Sequence, residues 1–162
     1  MDNMFVIFEN YDEWESQPHA IGFADSKESA DAVCTKLDSY HKTAKEVGEK
    51  AREFVKPIYD EDLGLESGEN WPKWPAGIPQ KDITVEMRAE RDLIKFENDE
   101  KHKRNSVKTG DQRNRIEKAV VEFIDGLDYD EDLMKYIKRR ISGTGYVSWL
   151  LPYSNQEVKK LS

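Results

Sequence analysis

The sequence predicts an α+β fold: a small antiparallel sheet of three strands packed against a long helix, with a helical insertion. Two strands come from the N-terminus and one from the C-terminus. Three observations predict it. Short β-branched and aromatic runs open and close the chain. A continuous three-and-four spacing of apolar residues follows the second run. The remaining length alternates proline-rich and charged helical segments.

Phe5-Val6-Ile7-Phe8 reads as the first strand and Ala20-Ile21-Gly22-Phe23-Ala24 as the second, joined by a polar connector from Tyr11 to Pro18. A helix start follows, with Asp25 placed as the capping acid three residues before Glu28 and Ser26 as the alternative cap. Ala30, Val33, Cys34, Leu37, Tyr40, Ala44, Val47, Ala51, Phe54 and Val55 then mark one face of a long helix. Pro57 is expected to end it, because proline has no amide donor and disfavours helix just before itself. Gly48, inside that helix, marks a bend or a close contact.

Residues 57–82 read as a Trp/Pro-rich loop, since three prolines and a glycine fall within Trp71–Pro79. Residues 83–142 read as a helical insertion within a single domain spanning 1–162. A helix is expected from Thr84 to Lys103, a break at Thr109-Gly110-Asp111, and a second helix over Ile116–Leu127 closed by Gly126. Asp130 is placed to cap a short helix carrying Leu133, Ile137 and Ile141. Tyr146–Leu151 is the third strand, limited by Pro152, and Gln156–Leu161 has room for a helical turn. The last strand must pair with the first hairpin, because two strands alone are marginal in water.

Composition excludes several classes. A single cysteine, Cys34, allows no internal disulfide, and its place on the apolar helix face makes it a small buried hydrophobe. No run approaches the length of a membrane span, and the N-terminus lacks a signal peptide's basic start. The expectation is a soluble protein of the cytoplasm. The 33 acids and 25 bases give a net charge of −8. Residues 1–82 carry 18 acids against 9 bases, while Lys101–Lys118 carries seven bases against two acids. Such blocks act as solvated faces or steer partners.

The three histidines are scattered and show no metal-binding spacing. Asp128-x-Asp130-x-Asp132 begins a calcium-loop spacing, but Leu133 stands where the loop needs glycine. No phosphate-loop or dinucleotide fingerprint is present. No catalytic residue, metal or cofactor is assigned. Basic residues without interleaved aromatics, on an acidic chain, disfavour nucleic acid as a partner.

The strand Phe5-Val6-Ile7-Phe8, the strand Ala20-Ile21-Gly22-Phe23, the helix opening Ser26-Lys27-Glu28-Ser29-Ala30 and the closing Tyr146-Val147-Ser148-Trp149 resemble small bacteriophage-encoded accessory proteins. The resemblance covers about 45 residues in two pieces. It implies a protein of the bacterial host's cytoplasm that binds and inhibits or redirects a host protein, defence components included.

The first functional expectation is therefore a non-enzymatic binder of a host protein. Trp71, Trp74 and Ile78 of the loop, with Lys101, Lys103 and Arg104 of the charged helix, are its partner-binding residues, tryptophan being favoured at binding hot spots. Self-association stays open. The alternative is a protein that sequesters a cyclic nucleotide signal, with Arg139, Arg140 and the Gly143–Gly145 turn at the phosphates and Tyr146 or Trp149 stacked on a base. A third reading is an acidic DNA mimic, using Glu9, Asp12, Glu13, Glu15 and the Asp60–Glu69 cluster.

Overall fold

The computed structural model of the protein describes residues 3–11, 17–68, 79–147 and 150–159. The order of elements is β1 (Asn3–Tyr11), β2 (His19–Ala24), α1 (Lys27–Tyr59), a 3₁₀ turn (Gln80–Asp82), α2 (Val85–Asp125), α3 (Glu131–Arg140) and β3 (Leu150–Lys159). The three strands form one antiparallel sheet in the order β2-β1-β3, as the sequence predicts.

By internal contacts the chain divides into two compact units. The first joins residues 1–56 to 117–162, and the second is residues 57–116. The stretch expected as one helical insertion over 83–142 is thus shared: its first part belongs to the second unit, and the end of α2 with all of α3 belongs to the first.

In the first unit β1 is the central strand and its alternation sets the core. Ile7 lies in a cluster with Ala24, Ala30, Cys34, Leu150 and Tyr153, flanked by Phe5, Tyr11, Leu37 and Tyr136. Side chains two apart on a strand share a face, so Glu9 lies on the core face with Phe5, Ile7 and Tyr11. Helix α1 starts at Ser26, whose Oγ accepts from the Ser29 amide. The serine is the cap, and Asp25 is not. The predicted stripe then buries Ala30, Cys34, Ala44, Val47, Ala51 and Val55, while Val33 and Phe54 lie exposed at its margins.

Pro57 does not end α1. The helix runs on to Tyr59: the proline forfeits its own amide bond to the Glu53 carbonyl, a local cost the long helix before it outweighs. The last carbonyls, of Ile58 and Tyr59, accept from Gln112 Nε2. Nor does Gly110 break α2, which is continuous for 41 residues. One glycine costs about 1 kcal/mol against Ala, too little to overcome a helix already nucleated on both sides.

Strand β3 also differs from expectation. It begins at Leu150 and continues through Pro152 to Lys159, so residues 156–159 are strand and form no helical turn. Their partners are Asn3 to Val6 of β1. Pro152 is tolerated because the register shifts there, between Phe8↔Ser154 and Asn10↔Leu151. Asn10 Nδ2 donates to the Pro152 carbonyl at 2.6 Å across this irregularity. Val147 lies outside the strand, in a lone bridge to Ile141.

Candidate functional site

Helix α3 is built to present two faces. The Asp130 side chain accepts from the Leu133 amide at 3.0 Å and fixes the helix start, so capping accounts for this aspartate without a metal. Leu133, Ile137 and Arg140, spaced by four and three, point inward and are buried. Lys135, Tyr136 and Arg139 fall on the flank facing α1. Together with Val33, Lys36, Leu37, Tyr40 and Asp132 they line a groove of about 410 Å³.

Two tyrosines lie in this groove, with the Tyr40 and Tyr136 rings edge to face at 5.8 Å. Three cations lie around them. Lys36 Nζ lies 5.2 Å from the Tyr40 ring centre and 3.7 Å from Asp132. Its ammonium is held above the ordinary lysine value, first by the Tyr40 hydroxyl and more weakly by Asp132. Lys135 pairs with Glu131 at 2.7 Å on the exposed helix surface. Arg139 has no carboxylate partner among the described residues.

Behind the groove runs a buried chain of polar groups. Arg140 grips Glu9 through both terminal nitrogens, Nη1 to Oε1 at 2.8 Å and Nη2 to Oε2. Tyr11 donates its hydroxyl to the same carboxylate. Arg140 Nη2 also lies 3.2 Å from the Tyr153 oxygen, which is 2.7 Å from the Tyr136 oxygen, itself 3.3 Å from His41 Nδ1. Counting donors orients this chain. Arginine can only donate, so Tyr153 accepts from it. Tyr153 then keeps its own proton satisfied only by donating to Tyr136, and Tyr136 donates onward to His41 Nδ1. His41 is therefore assigned as the Nε2–H tautomer, and that buried nitrogen has no partner among the described residues. Burial pushes the Tyr136 hydroxyl far above the ordinary tyrosine range, and the bond to Tyr153 adds to it.

Burial first, and Lys45 second, lower the proton affinity of His41, with Asp38 opposing. From α3, Tyr136 faces the ring edge-on and bonds its Nδ1. A histidine whose folded pKa lies below its unfolded value binds fewer protons in the native state. Stability then rises with pH, is fully present above the unfolded value, and falls as pH drops below it. Urea midpoints at pH 7.5 and pH 5.5 should show the native protein losing stability on acidification. His41→Gln should lose less over the same interval. Equal losses would remove His41 as the cause.

The structure scatters the residues expected at a nucleotide site. Arg139 lines the α1–α3 groove, whereas Arg140 is buried and committed to Glu9. Tyr146 lies elsewhere, 4.9 Å beneath the Arg52 guanidinium, in a pocket with Lys45, Gly48, Glu49, Gly145 and Val147. Arg139, Arg140 and Tyr146 do not converge. Trp149 lies outside the described residues, as do Trp71, Trp74 and Ile78 of the loop. Glu9, assigned to a DNA-mimicking acidic surface, is 2% exposed and belongs to the core.

The basic residues expected to bind a partner are described, and each has partners within the chain. Lys103 pairs with Glu100 at 2.6 Å, and Arg104 forks onto Glu66 through Nε and Nη2, both at 2.7 Å. Lys101, half-buried, adds to the positive potential that lowers the Glu66 pKa. Reading the sequence missed Lys36, Tyr40, Lys135 and Tyr136. The signal was present as two i,i+4 pairs, Lys36/Tyr40 and Lys135/Arg139, on helices that pack together. No group of three or more metal-ligating side chains occurs among the described residues, and none of their helices is long and apolar enough to cross a membrane. Comparison with protein-family models, curated proteins and solved structures gives no match to this chain.

Proposed function

We propose that this chain works by binding, without turnover, and that its partner is a protein that lays acidic side chains into the α1–α3 groove. One observation carries the reading: on a chain of net charge −8, three cations and two tyrosines line this one groove. Tyrosine offers a large contact area with few rotors to freeze, and arginine and tyrosine are the residue types enriched at binding hot spots. Asp132, the acid in the lining, is held by Lys36 at the rim. The resemblance to phage accessory proteins points to a host bacterial protein as the partner class.

Charge reversal tests this. Fluorescence anisotropy with a labelled peptide of alternating Glu and Leu should detect binding that weakens as salt rises. The Lys135→Glu/Arg139→Glu variant should weaken it at least tenfold. A cyclic dinucleotide or an oligo-dT strand binding more tightly than the peptide would replace this reading with the ligand one. Absence of peptide binding to the unaltered chain would remove it.

A further inference from the structure

The second unit holds a feature that the charge pattern alone does not reveal. Residues 60–68 carry no helix or strand, yet they run in an ordered line along α2, antiparallel to it. The grip is polar throughout. Asn105 takes both backbone groups of Glu66: its Oδ1 accepts from the Glu66 amide at 3.0 Å and its Nδ2 donates to the Glu66 carbonyl at 2.8 Å. This is the pair of bonds a neighbouring strand would supply. Arg104 forks onto the Glu66 carboxylate at 2.7 Å, Lys108 Nζ donates to the Gly64 carbonyl at 2.8 Å, and Arg115 pairs with Glu61.

The segment follows α2 in reverse order: Glu61 meets Arg115, Gly64 meets Lys108, and Glu66 meets Asn105 and Arg104. It turns between the two acids, because Gly64 lies at φ +52° and its amide donates to Asp62 Oδ1 at 2.9 Å, a conformation glycine takes at no steric cost. Asn98, Asn105 and Gln112 repeat every seven residues on this same face, and Asn98 lies under Gly68.

Little apolar burial holds the segment down, since Leu65 is half exposed and most of its neighbours are exposed. Contacts of this kind, ion pairs at the surface and side-chain amides on backbone, exchange readily. We propose that this polar face of α2 reads an acidic peptide that turns at a glycine between its acids, that residues 61–66 occupy it as a built-in ligand, and that an acidic segment of a protein partner with the same turn binds by displacing them. The partner's chemistry is set by the contacts: a glutamate at the Asn105/Arg104 clamp, a second acid five residues before it for Arg115, and a glycine between them that turns left-handed and offers its carbonyl to Lys108.

The test uses the full chain and a labelled nonapeptide with the sequence of residues 60–68. Glu66→Lys evicts the built-in segment by placing a cation against Arg104. The variant should bind the nonapeptide at least tenfold more tightly than the unaltered chain does. Adding Asn105→Ala to it should reverse the gain, whereas adding Lys135→Glu/Arg139→Glu should leave the gain intact, since the α1–α3 groove is a different site. Glu66→Gln gives a smaller gain in the same direction and carries the test if Glu66→Lys loses helix content by circular dichroism. No gain in either variant overturns the proposal. So does equal binding of a scrambled peptide of the same composition, or of oligo-dT, because either would mean attraction by charge without readout of the order of acids and backbone.

Discussion

Replacing Glu9 with Gln, or Arg140 with Met, is expected to destabilise the protein by about 3–5 kcal/mol, the cost of leaving one member of a buried ion pair alone. The pair lies beneath the sheet, with side chains 2% and 8% exposed, and joins the central strand to α3. Removing either partner strands the opposite charge and disturbs a hydroxyl beside it. Glu9→Gln leaves one acceptor oxygen where Tyr11 and Arg140 now use two, and without Arg140 the Tyr153 oxygen loses the donor that orients the chain to His41. For a domain whose total stability is typically about 5–15 kcal/mol, such a loss is severe. The double replacement Glu9→Gln/Arg140→Met removes both charges and should recover much of the loss. Urea denaturation of the four proteins gives the coupling directly. If the single variants cost no more than a surface ion pair, about 0–1 kcal/mol, the pair is not the clamp described here.

That pair also shows what a sequence read by apolar periodicity finds and what it overlooks. The strand pattern, the α1 stripe and the Asp130 cap were legible, because each is a local regularity of side-chain type. Glu9 and Arg140 were legible only together. Glu9 occupies an inward position of β1 after Phe5 and Ile7, and Arg140 follows Leu133 and Ile137 at helical spacing on the inward face of α3. Each looks misplaced alone. Two opposite charges on two apolar faces indicate a buried pair, and reading Arg140 by charge alone put it at a phosphate instead. The α2 amide face escaped for a related reason. Asn98, Asn105 and Gln112 form a heptad as regular as a hydrophobic seam, but an apolar count registers it as a thin stripe. The break expected at Gly110 and the stop expected at Pro57 failed because local penalties of about 1–3 kcal/mol are small against the propagation of a long helix. For the groove, both halves were visible as i,i+4 pairs, but their meeting depends on how α3 packs on α1, a tertiary fact.

The two helical glycines, Gly48 and Gly110, make the last prediction, because the same substitution should act with opposite signs. A methyl group at Gly110 meets nothing within 4 Å. Gly110→Ala therefore removes only the entropic penalty of glycine in a helix and should stabilise by about 0.5–1 kcal/mol. Gly48→Ala gains the same helical propensity and loses far more. Its Cβ would come within 2.8 Å of the Gly145 carbonyl oxygen and within 2.8 Å of Val147 Cγ2. The Gly145 backbone cannot easily withdraw, since it is fixed at φ +82° with its amide on the Ser142 carbonyl at 2.8 Å and the Arg52 side chain close by. Overpacking of this kind costs about 1–3 kcal/mol. The net expectation is a lower thermal midpoint for Gly48→Ala and a higher one for Gly110→Ala. The second substitution lies outside the contacts of the Tyr146 pocket. The first pushes on its wall, so it should also disturb the Arg52–Tyr146 stacking, read as a change in tyrosine ring chemical shifts by NMR. A Gly48→Ala protein as stable as the parent, with those shifts unchanged, would mean that α1 does not approach the Gly143–Val147 turn as closely as described.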